Sequence, residues 1–158
     1  MKISDLIKDS FVPTELSILF NDTFDEEIQE KFIEHINSHK YYLNQEYNFE
    51  IDFSKAFGSW VEYIYIPTIV SLIKSKLING YDDDRIGWLF FDIQDDWNDL
   101  KEEFPNKNIT IKNAVDYFYV KEFEDNEYTF CYRPRADVET KHFSYLFKIM
   151  KLKILKII

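Results

Sequence analysis

Apolar residues recur along most of the chain at helical spacing, and the first elements follow from that pattern. Residues 3–12 predict a short helix stopped by Pro13, and Thr14 to Phe20 predicts a second of one or two turns. Thr23 with Glu26 three residues on has the form of a capping box. It opens a predicted helix running to about Leu43, with Ile28, Phe32, Ile36 and Leu43 on one face. Tyr47 to Phe53 alternates apolar and polar, the period of a strand. Ser59 to Ile66 fits two states. Its β-branched and aromatic content is that of a strand, whereas Phe57, Trp60, Val61 and Ile64 fit a helix that kinks at Pro67. Thr68 to Ile78 reads as helix, closed by Asn79-Gly80.

The clearest helix spans residues 83–103. Ile86, Leu89, Phe90, Ile93, Trp97, Leu100 and Phe104 recur three and four apart, Asp82, Asp83 and Asp84 suit the positive N-terminal end, and Pro105 stops it. Beyond it, Tyr117 to Glu124 and Glu127 to Arg133 are aromatic runs separated by Asp125-Asn126, which predicts a hairpin over 117–133. That register sets Phe123 opposite Tyr128 and Tyr119 opposite Tyr132. A last helix is expected from about Asp137. There is no internal repeat and no linker. The expectation is one helix-rich α+β domain over 1–158 with a small antiparallel sheet.

Composition supports that size and class. The chain has 158 residues, 46% of them hydrophobic and 18% aromatic, which suits a packed core and excludes an acidic disordered tail. With only 3 Gly and 4 Pro, few tight turns are available, so helices are favoured over a barrel or sandwich. A single cysteine, Cys131, excludes an internal disulfide or a cysteine zinc cluster and fits a reducing compartment. Asp5 and Asp9 interrupt any leader-like apolar run, and the longest uncharged apolar stretch, Tyr63 to Ile73, is 11 residues and contains Pro67. A cytoplasmic protein without a membrane anchor is expected.

Charge changes the picture more. The net charge of −10 argues against a surface that grips nucleic-acid phosphates. Residues 82–103 hold nine acids and two bases, and residues 116–127 hold five acids and one base, so these segments exceed the whole net charge. Residues 137–158 are basic, with five Lys against two acids, and are expected to dock on the acidic middle. Within 83–103, Asp92, Asp95, Asp96, Asp99 and Glu103 form one stripe about a quarter-turn from the apolar stripe. Like charges one turn apart repel by a few tenths of a kcal/mol, so stability alone does not select this arrangement. Either it solubilises a structural or scaffold domain, or it faces a partner.

Trp97, Tyr81 and Trp88 rim the stripe, and a row of carboxylates with aromatic anchors matches the cationic site of a nuclease or similar protein. With stretches such as DDDRIGWLFFDIQDDWNDLKEE, the chain resembles bacterial toxin-immunity and inhibitor proteins. That resemblance implies a basic protein partner, occluded by the stripe, with no catalytic residue, no cofactor and no direct contact with nucleic acid. Phe91-Asp92-Ile93-Gln94-Asp95-Asp96-Trp97-Asn98-Asp99 also resembles the second aspartate-rich motif of trans-isoprenyl diphosphate synthases, F-Q-I-x-D-D-x-x-D. This implies Mg²⁺ on Asp95, Asp96 and Asp99, although the family's upstream D-D-x-x-D is missing.

Other candidates have simpler readings. His35 and His39 have metal-sharing spacing, but His39 points toward the apolar stripe as a core-edge histidine. Cys131 reads as a small buried hydrophobe, with His142 too remote to be placed as its base. Arg133 and Arg135 read as internal partners of the acids. No phosphate loop or serine triad is present, and the enzyme reading is weak.

Overall fold

The computed structural model describes residues 1–7, 14–75 and 83–124. The chain divides into two compact units, one holding Met1–Tyr63 and the other beginning at Ile64. The described residues are predominantly helical, with no strand among them, so the expected α+β class is corrected to all-α over these residues.

In the first unit, α1 (Ile3–Leu6), α2 (Thr14–Thr23), α3 (Glu26–Tyr47) and α4 (Phe53–Trp60) surround an aromatic core. Asp25, not Thr23, caps α3: its Oδ1 accepts the Ile28 N–H at 2.9 Å, and Thr23 is the last residue of α2. Ile28, Phe32 and Ile36 are buried along one face of α3, as the spacing predicts. Phe20 from α2 stands at the centre, with its ring 5.4 Å from Phe32, 5.5 Å from Phe57 and 6.0 Å from Trp60. The first two pairs meet edge to face, an arrangement that contributes about 0.5–1.5 kcal/mol each beyond burial. Gln29 is buried but satisfied: its Oε1 accepts the Ile3 N–H and its Nε2 donates to the Phe24 carbonyl.

The predicted strand over 47–53 does not form. Tyr47 ends α3, Asn48 caps it in the left-handed region at φ 57°, and Phe53 opens α4 after Asp52, whose Oδ1 accepts the Lys55 N–H. The alternation there was not a half-buried face, because Tyr47 and Phe49 are exposed and only Ile51 is buried. Residues 59–66 resolve as helix. Their wide stretch is a π-helical turn at Val61–Tyr65, followed by α5 (Ile66–Ser75), so the irregularity precedes Pro67. Among the described residues one helical run, Phe53–Ser75, is long and apolar enough to cross a membrane by length and composition. Its Phe57, Trp60, Val61, Tyr65, Ile69 and Leu72 are buried within the protein.

The second unit contains α5, α6 (Asp83–Glu103), α7 (Ile111–Tyr119) and a second π turn, Val120–Glu124. Ile69, Leu72, Ile86, Leu89, Phe90, Ile93, Val115 and Phe118 supply its buried apolar side chains. Gln94 Nε2 donates to Thr68 Oγ1 at 2.8 Å, and Thr68 Oγ1 donates to the Ile64 carbonyl at 2.7 Å. The hairpin at 117–133 is likewise corrected, since its first arm is the end of α7 and the π turn. Thr110 caps α7 by a reciprocal box with Asn113, and Ala114, Val115 and Phe118 are buried at helical spacing. The second arm, Cys131, Arg133, Arg135, His142, the last helix and the basic tail lie outside the described residues.

Candidate functional site

The acidic stripe is carried by α6, whose bounds match the sequence reading. Ile86, Leu89, Phe90 and Ile93 anchor one side in the core, which turns Asp95, Asp99, Glu102 and Glu103 out to solvent. Asp92 is half-buried. Asp96 does not join the exposed row. Its side chain is 8% exposed, and its Oδ1 accepts from Lys121 Nζ of the second π turn at 2.7 Å, while Oδ2 has no hydrogen-bond partner. Burial pushes the Asp96 carboxyl above its ordinary value, against the pull of Lys121 and aided by the nearby charges of Asp92 and Asp99. Lys121 rises as well, because its bond and attraction to Asp96 outweigh its own partial burial.

The expected aromatic rim is only partly a rim. Trp97 is half-buried, its indole N–H donates to the Ile109 carbonyl at 2.8 Å, and Lys101 Nζ sits 4.1 Å from its ring centre. Trp97 therefore anchors the connection from α6 to α7. Trp88 is 39% exposed, and Tyr81 lies outside the described residues. Sequence reasoning missed a shallow groove of about 370 Å³ at the C-terminal end of α6. Leu100, Phe104, Ile109 and Tyr117 give it apolar walls, with Lys107, Asn108 and Asn113 beside them. Its signal in the sequence was Phe104, the last residue of the apolar series, placed just before Pro105 where the helix ends.

Among the described residues no three His, Cys, Asp or Glu side chains are placed to hold a metal ion. Asp95, Asp96 and Asp99 are thus not gathered as the diphosphate-synthase resemblance implies, and the ammonium of Lys121 already neutralises Asp96. His35 and His39 do not share a site either. His35 Nδ1 accepts the Trp60 indole N–H at 2.7 Å, and His39 Nε2 lies 2.9 Å from Ser59 Oγ. Burial holds His39 below the ordinary imidazole value, as its place at the core edge implies. No family model matches the chain, and no curated protein or solved structure matches it either.

Proposed function

We propose that the protein binds a basic protein partner through the exposed face of α6, as an inhibitor or immunity protein that occludes a cationic site. The supporting observation is the division of labour along α6. Asp96 is committed to Lys121, whereas Asp95, Asp99, Glu102 and Glu103 remain exposed over the last turns, and the intervening Lys101 lies over Trp97. Charge of one sign on one face steers a cationic partner, and the groove beside Phe104 and Tyr117 accepts an apolar anchor from it.

The test is a partner captured from the host on the tagged full chain, with association rates measured at low and high salt. Raising salt is expected to slow association at least about tenfold, and Asp95→Lys/Asp99→Lys to do the same at low salt. A partner whose association ignores both changes assigns the acids to solubility alone and removes this reading.

A further inference from the structure

We propose that the seam between α3 and α4 is an acid-sensitive latch, in which protonation of His35 releases Trp60. Two imidazoles one turn apart on α3 meet two consecutive residues at the end of α4: His39 lies beside Ser59 and His35 beside Trp60. The two contacts differ chemically. A protonated His39 can still donate to the Ser59 hydroxyl, so that bond survives acid. His35 cannot keep its own, because the Trp60 indole is a donor only and requires a lone pair on Nδ1. Adding a proton there sets N–H against N–H at a distance of 2.7 Å.

Trp60 is fully buried, with its ring against Phe20, Phe32 and Phe57, so its N–H has no water to turn to while α4 stays packed. The bond from Trp60 thus requires a bare Nδ1 on His35, and burial holds His39 below the ordinary imidazole value. The charged groups nearest the rings along α3 are Lys31, Glu34 and Lys40. The packed elements carry Asp52 as the N-cap of α4 and Lys55 on it, Glu62 just after it, Asp22 on α2, and Asp5 on α1, which accepts the Lys2 N–H. The Met1 ammonium pairs with Glu26 and Glu30 in the first turns of α3. Burial lowers the His39 imidazole below its ordinary value.

The sign follows from linkage. A histidine held neutral in the folded chain contributes stability that is complete above the unfolded value of about 6.5 and is lost as pH falls below it. Acidification toward pH 5.5 therefore opens the α3–α4 seam and frees Trp60, the outcome expected of a histidine switch.

The experiment follows the Trp60 indole N–H and the imidazole nitrogens of the full chain by ¹⁵N NMR, with the indole assigned by Trp60→Phe. The wild-type indole is expected to lose protection, corrected for intrinsic exchange, by about tenfold per pH unit below 6.5. His35→Gln offers an acceptor that does not titrate and is expected to keep protection down to pH 5.5. Unchanged wild-type protection at pH 5.5, or equal loss in His35→Gln, overturns the latch. If His35→Gln fails to fold, the wild-type imidazole shifts decide: His35 Nδ1 taking a proton while the indole stays protected also overturns it.

Discussion

Replacing Lys121 by Met tests whether Asp96 is a buried charge held by one ammonium. The Asp96 side chain is 8% exposed and that of Lys121 37%, and they meet at 2.7 Å. Met preserves a stem of similar length beside Tyr117 and Phe118, whose rings lie 5.4 and 5.8 Å from Nζ, and deletes the charge alone. Removing one member of a fully buried pair costs about 3–5 kcal/mol. Solvent reaches the lysine end and screens it, so about 2 kcal/mol is expected at pH 7. Both Asp96 oxygens are then without partners, which drives its already raised carboxyl higher still.

The sign with pH is set by that rise. A carboxylate raised in the folded state weighs against folding above its folded value, and the weight lifts as pH falls through it. The deficit of Lys121→Met should therefore shrink between pH 7 and about pH 4.5. Urea unfolding followed by circular dichroism reads both values, and Asp96→Leu/Lys121→Met should recover most of the loss, because an apolar pair has no charge to strand. A loss under about 0.5 kcal/mol at pH 7, or an equal loss at both pH values, refutes the buried-charge account.

Two further perturbations address the helix junctions. Thr68→Val removes both the donor to Ile64 and the acceptor for buried Gln94 and should cost about 2 kcal/mol in urea unfolding, whereas Thr68→Ser retains the bonds; equal losses in both variants would assign the effect to packing. Asn48 is the one non-glycine residue at positive φ among the described residues, so Asn48→Val should cost about 1–2 kcal/mol while Asn48→Gly stays within about 0.5 kcal/mol; comparable losses would show that the left-handed cap carries no strain.

The long amphipathic helices were legible because their burial repeats over several turns. In α6 the apolar series and Pro105 located both the element and its end, and helical geometry already placed Asp96 closest to the apolar side. On a wheel of 100° per residue it lies about 70° from the apolar centre, against about 170° for Asp95. What one sequence did not supply was Lys121, a partner 25 residues away on another element. The strand and hairpin readings failed where the windows were short. Aromatic and β-branched residues at 47–53 and 117–124 fit a pleated surface locally, but tertiary packing buried only Ile51 in the first and took Phe118 into a helix in the second. The cap at Thr110 was the available signal, and it was obscured because Asn113 stands where Glu or Gln usually completes the box.

The placement of the three tryptophans turns the molecule into its own optical gauge. Trp60 is sealed inside the first unit, while Trp88 and Trp97 belong to the second and reach solvent to different degrees. Native emission is therefore a sum of a blue component from one unit and redder components from the other. Subtracting the spectrum of Trp60→Phe separates them, so the melting of each unit can be followed in one cuvette without any attached dye. Coincident curves would mean that the two units unfold as one cooperative body, and staggered curves that each keeps its own stability.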